Sequence, residues 1–152
     1  MKRHTSYSLE ETGEIAVKWL KDIFGKYGFN SDGAALIGLS GHLGAGKTAF
    51  VKAVAKELGI QEEITSPTFV IMKLYEIKLK AVPWKKLVHI DAYRLERAED
   101  LEALRFEEII ADKNNLVIVE WPEQVELQKF GERERLVFEM KDGVCVIVRK
   151  AW

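Results

Sequence analysis

The chain has 152 residues, 47% hydrophobic and 31% charged, with 23 basic against 24 acidic side chains and a formal net charge of −1. At roughly 100–200 residues per domain this length indicates one domain over 1–152, and the apolar fraction excludes wholesale disorder. The charge balance speaks against gripping DNA or RNA backbone, and a lone Cys145 excludes an intramolecular disulfide or a Cys-rich zinc site. No stretch approaches the ~18 apolar residues of a membrane span, so a cytoplasmic protein of a reducing compartment is expected.

In chain order, Ser8-Leu9-Glu10-Glu11 has the form of a capping box, a serine hydroxyl serving an early backbone N–H and a glutamate reaching back. Ile15, Trp19, Leu20, Ile23, Phe24 and Tyr27 then recur at helical spacing, which predicts a first helix to about Gly28. After the turn residues Asn30-Ser31-Asp32-Gly33, Ala34 to Leu39 reads as a short buried strand. A glycine-rich loop leads into a helix over Lys47–Leu58, with Gly59 as its C-terminal cap. Thr68 to Ile77 has strand character. Leu87-Val88-His89-Ile90 and Leu116-Val117-Ile118-Val119 are unalternating apolar runs, the pattern of strands covered on both faces, and each ends in an acid. Ala98 to Ala111 reads as one or two short helices. Leu136–Met140 and Val144–Val148 flank Lys141-Asp142-Gly143, a hairpin signal.

Gly41-His42-Leu43-Gly44-Ala45-Gly46-Lys47-Thr48 fits G-x-x-x-x-G-K-[ST]. Glycines let the backbone wrap closely and aim successive N–H groups at phosphate oxygens, and the following helix adds the positive end of its dipole. Lys47 can then reach the β- and γ-phosphates and the Thr48 hydroxyl can ligate Mg²⁺. A predicted strand leads in and a predicted helix leads out, as such a loop requires. The expected fold is therefore α/β: a three-layer P-loop NTPase sandwich with a mixed, mainly parallel sheet and a C-terminal β-hairpin.

Such a site needs a carboxylate at the end of a neighbouring strand, and either Asp91 or Glu120 qualifies. Read from the residues alone, His89 is a core histidine, Thr65-Ser66-Pro67-Thr68 a Ser-Pro turn, and Lys73, Lys78, Lys80, Lys85 and Lys86 a solvated edge.

The P-loop, Ser66-Pro67-Thr68-Phe69, His89-Ile90-Asp91-Ala92-Tyr93-Arg94-Leu95 and Glu120-Trp121-Pro122-Glu123, in this order, resemble the TsaE (YjeE) family. The resemblance runs from the first helix to the Glu-Trp-Pro-Glu segment. It implies a Mg²⁺-dependent ATPase, slow alone, that acts with TsaB and TsaD in making N6-threonylcarbamoyladenosine next to the anticodon of ANN-decoding tRNAs. It implies that the chain is not the transferase, that its hydrolysis resets the complex, and that tRNA is met through the TsaB–TsaD complex. Carried over by motif, Gly41, His42, Leu43, Gly44, Ala45, Gly46, Lys47 and Thr48 would hold ATP. Thr48 and Glu120 would hold Mg²⁺, and Asp91 would support hydrolysis with Lys47 and Glu120. Ser66 and Thr68 become candidate switch residues, and Tyr93, Arg94 and Trp121 lie in motifs beside the site. Two positions depart from the family: His42 stands where an acid is common, and Ala49 where a second hydroxyl is usual.

Two other classes share a P-loop. A small-molecule kinase would need an arginine-bearing lid, for which Arg94, Arg97 and Arg105 are the available cluster. A GTP switch would need Asp-x-x-Gly, and Asp91-Ala92-Tyr93-Arg94 lacks the glycine.

Overall fold

The computed structural model describes every residue except Met1, Asn30, Leu43, Thr68 and Trp152. Among the described residues the elements run β1 (Lys2–Ser6), α1 (Leu9–Tyr27), β2 (Ala35–Gly41), α2 (Lys47–Glu57), β3 (Met72–Glu76) and β4 (Lys86–Asp91). A 3-10 helix over Ala98–Leu104 precedes α3 (Phe106–Ala111) and β5 (Asn115–Glu120). Two further 3-10 helices, Pro122–Val125 and Leu127–Phe130, lead to β6 (Glu134–Lys141) and β7 (Val144–Ala151).

The strands form one sheet in the order β1-β7-β6-β2-β5-β4-β3. The inner four, β6, β2, β5 and β4, are parallel, while β3, β7 and β1 add antiparallel edges. β2, β5 and β4 are covered on both faces and are largely apolar on both sides, whereas β6 alternates. Leu116 and Ile118 of β5 pack with α1 and α2, through Trp19, Ile23, Phe50 and Val54. Val117 and Val119, pointing the other way, meet Leu101, Phe106, Val125 and Leu127 of the short helices. The three-layer α/β sandwich and its C-terminal hairpin are as expected, with the parallel strands confined to the centre.

Local chemistry explains the element boundaries. Ser8 Oγ caps α1 by accepting from Glu11 N at 3.1 Å, while Glu11 reaches back to Tyr7 N at 2.7 Å, one residue beyond the usual box. α2 closes on a Schellman motif: Gly59 has φ +73°, its N–H bonds Lys56 O, and Ile60 N bonds Ala55 O. The hairpin turns through Asp142 and Gly143, both at positive φ, with Lys141 opposite Val144. Glu134, fully buried in β6, accepts from Trp19 Nε1 at 3.0 Å and Arg149 Nε at 2.6 Å, which fastens α1 to the hairpin.

Two elements differ from expectation. β3 starts at Met72 rather than 68, because Val70 N and Ile71 N both turn back to Pro67 O and Ile71 sits at φ +68°. β1 carries no apolar pattern, since an edge strand paired only to β7 buries little. The 98–111 segment, expected as one or two short helices, is two: it breaks at Arg105, φ +55°, into a 3-10 helix and one α-helix.

Gly38, in mid-β2, lets the chain after β5 lie directly on the sheet. A Cβ there would fall onto a Glu132 carboxylate oxygen and within 2.9 Å of Pro122 Cγ. Glu132 is locked in a two-bond fork with Arg135, both contacts 2.8 Å, so it cannot swing aside freely. Gly38→Ala is expected to destabilise the fold by about 2 kcal/mol, read as a lowered urea midpoint at unchanged slope.

Candidate active site

The C-terminal ends of three adjacent parallel strands deliver Gly41, Glu120 and Asp91 to one edge of the sheet. Glu120 lies opposite Leu39 on β2 and opposite Asp91 on β4. Alternation puts His89, Asp91, Ile118 and Glu120 on the face covered by α1 and α2, the face from which α2 rises. The crevice outside the ends of parallel strands is where α/β sheets bind ligands.

The glycine-rich loop lies over this edge. Gly41, at φ +141°, packs against Phe138 of β6 so closely that any Cβ would strike the Phe138 carbonyl. Gly46, at φ +102°, is the N-cap of α2 and no side chain caps the helix, which leaves its first-turn N–H groups to a ligand. His42 and Gly44 are exposed and Ala45 is buried. The Ala45 carbonyl accepts from the Cys145 thiol at 3.2 Å, so β7 braces the loop from outside. Thr48 and Ala49 are half-buried in the first turn of α2, and Leu43 lies outside the described residues.

Lys47 is 5% exposed. Its ammonium donates to the Gly41 carbonyl and lies 4.4 Å from the centre of the Trp121 ring. Burial holds its pKa below the ordinary lysine value, and the charges of Glu120, Asp91 and Glu123 oppose that shift. The Glu120 carboxylate, itself buried, meets His89 Nε2 at 2.7 Å. Asp91 Oδ1 accepts from Tyr93 N at 2.9 Å, which fixes the turn after β4.

Trp121, in the left-handed region at φ +60°, carries its ring 5.0 Å from that of Tyr93. Ser40 Oγ donates to Glu123 at 3.2 Å, and Gln124 Nε2 to the Tyr93 carbonyl at 3.4 Å. These bonds tie the ends of β2, β4 and β5 into one unit. Arg94 lies 5.7 Å from the Phe69 ring, bringing the segment after Ser66 and Pro67 beside the turn after β4. Ser66 is exposed; Thr68 lies outside the described residues.

The structure thus gathers Lys47, Asp91, Glu120, Tyr93 and Trp121, with Arg94 one step out. The histidine read from the sequence as core filling is fully buried, but its ring touches the Glu120 carboxylate. The available signal was its position two residues before Asp91, which places both side chains on one face of β4.

The family model for threonylcarbamoyl adenosine biosynthesis protein TsaE matches residues 7–146. The chain belongs to the TsaE family. The TsaE match runs beyond Glu120-Trp121-Pro122-Glu123 and into β7, so it takes in the hairpin that braces the loop. The tRNA threonylcarbamoyladenosine biosynthesis protein TsaE of Treponema pallidum is 42% identical over 91 residues, 60% of this chain and 62% of that protein. The TsaE protein of Streptomyces coelicolor is 39% identical over 89 residues, 58% of this chain and 57% of that one. The matched region therefore spans about three-fifths of the length of these curated relatives. The crystal structure of Bacillus subtilis YdiB superposes with a TM-score of 0.68 at 27% identity, covering 99% of this chain and 84% of YdiB.

Proposed function

We propose that this TsaE-family chain is a single-domain, Mg²⁺-dependent ATPase of the cytoplasmic machinery that makes N6-threonylcarbamoyladenosine in ANN-decoding tRNAs. It works with the TsaB–TsaD complex, through which it meets tRNA, and is not itself the transferase. One observation carries the ATPase part of the reading. A buried lysine of a glycine-rich loop and two buried carboxylates on adjacent strands converge at the ligand edge of a parallel sheet.

The residues fit a magnesium ion. No group of three acidic, histidine or cysteine side chains able to hold a metal occurs among the described residues. Mg²⁺ needs none, because it retains several waters and takes one or two protein oxygens together with substrate phosphates. Thr48 and Glu120 supply hard oxygens, and the His89 bond gives Glu120 the supported setting of a metal ligand. When bound, the ion would neutralise charge on the β- and γ-phosphates.

The remaining work falls to the protein. The N–H groups of the loop and the first turn of α2 bind the phosphates. Lys47 exchanges the Gly41 carbonyl for phosphate oxygens and is kept on line by the Trp121 ring. Asp91, its carboxylate anchored by Tyr93 N, orients the attacking water near the γ-phosphate. Trp121 and Tyr93 wall the site and limit other water.

Of the three arginines available to an acceptor kinase, Arg94 lies on the Phe69 ring and Arg97 meets Asp100 at 3.5 Å. The test is product analysis with γ-labelled ATP, Mg²⁺ and a metabolite extract. All label is expected as inorganic phosphate. Label on a small-molecule acceptor would replace this reading by a kinase.

A further inference from the structure

His89, on β4 beside the edge strand β3, is fully buried, with Ile118 of β5 on one side and Lys73 of β3 on the other. A buried imidazole is costly unless its nitrogens are satisfied, and only one of them is. Nε2 lies 2.7 Å from Glu120 Oε2, whereas Nδ1 is buried without a hydrogen-bond partner. With Glu120 as a metal ligand its carboxylate only accepts, which places the ring proton on Nε2. The imidazole therefore makes no cross-link through the core, and its one polar contact ends on the acid at the mouth of the sheet. A leucine would fill the same space without the orphaned nitrogen, so packing gives no reason for histidine here.

The geometry assigns His89 as the positioning residue of Glu120. It donates one hydrogen bond to Oε2, fixes the carboxylate's rotation, and leaves Oε1 to face the nucleotide's divalent cation. Ligating carboxylates are commonly held this way, and loss of such a partner costs 10–100-fold in metal affinity. The neighbouring strands supply no substitute donor: the residues opposite His89 are Lys73, whose ammonium bonds Thr65, and the apolar Ile118. The inference rests on the reading of Glu120 as a metal ligand, and the experiment separates the two.

The probe is Mn²⁺, titrated by electron paramagnetic resonance into the ADP complex of wild type, His89→Leu, His89→Gln and Glu120→Ala. ADP affinity without metal and thermal stability are recorded alongside. In His89→Gln the amide nitrogen stands close to Nε2 and restores a donor. The expected result is a loss of Mn²⁺ affinity of about 10–100-fold in His89→Leu. His89→Gln should stay within about threefold of wild type, and metal-free ADP affinity should be unchanged in both. Combining His89→Leu with Glu120→Ala should add nothing to the Glu120→Ala loss. A His89→Leu protein that binds Mn²⁺ as wild type does, or a His89→Gln protein as impaired as His89→Leu, overturns the assignment. If His89→Leu does not fold, His89→Met, which also lacks a donor, takes its place in the same comparison with His89→Gln. Wild type that shows no nucleotide-dependent Mn²⁺ binding, or a Glu120→Ala protein that binds it normally, instead refutes the metal-ligand reading itself.

Discussion

Lys47→Ala is expected to lower hydrolysis by at least ~100-fold, since a donor aimed at developing phosphate charge is worth that much. It should also weaken ATP binding by about tenfold or more, since a charge-assisted bond to phosphate is lost. The size follows from where the ammonium sits. It is already desolvated, held at the Gly41 carbonyl and over the Trp121 ring, so binding phosphate requires little further loss of water or freedom. Alanine also removes the ammonium on which Glu120 and Asp91 act, so a polyanion approaches the two carboxylates with that positive charge gone. Titration with a fluorescent ATP analogue, with circular dichroism as the control for folding, reads the effect. Near-normal affinity in a folded Lys47→Ala protein would mean that the loop is a structural turn.

The second large effect separates the two acids. Glu120→Ala should abolish hydrolysis, by ~100-fold or more, while metal-free nucleotide binding survives. Asp91→Asn should also lose turnover but keep the Mg²⁺ dependence of nucleotide affinity, because Asp91 is assigned to the water. The two lie opposite one another on β4 and β5, yet they are held differently: Glu120 by a ring nitrogen, Asp91 by the backbone of its own turn. Phosphate release and nucleotide affinity, each measured across a Mg²⁺ series, distinguish them. Normal hydrolysis in Glu120→Ala with none in Asp91→Asn would reverse the assignment.

Much of this site is legible in the amino-acid sequence because its chemistry is local. Gly41 to Thr48 needs only adjacent residues in one turn, and the runs ending at Asp91 and Glu120 announce covered strands by their missing alternation. What is not legible depends on register and strand order. The His89–Glu120 bond joins residues 31 apart and exists because β4 and β5 are neighbours paired in one register. Trp121 shows no evident role in the sequence; its backbone, turned to positive φ, is what brings the ring to Lys47. Cys145 is one of many apolar-run residues in sequence, yet it meets Ala45 across 100 residues because the hairpin returns beside β2. β1 escapes notice for the opposite reason, as an edge strand with little to bury carries little pattern.

The central claim is that this P-loop hydrolyses ATP in the service of the TsaB–TsaD complex. The net charge of −1 favours meeting tRNA through the complex. The most direct measurement is the initial rate of phosphate release from Mg-ATP by the purified protein, with and without TsaB–TsaD from the same source. The expected result is a slow rate alone and a rise of at least tenfold with the complex, abolished by Glu120→Ala. A rate that TsaB–TsaD leaves unchanged would contradict the claim.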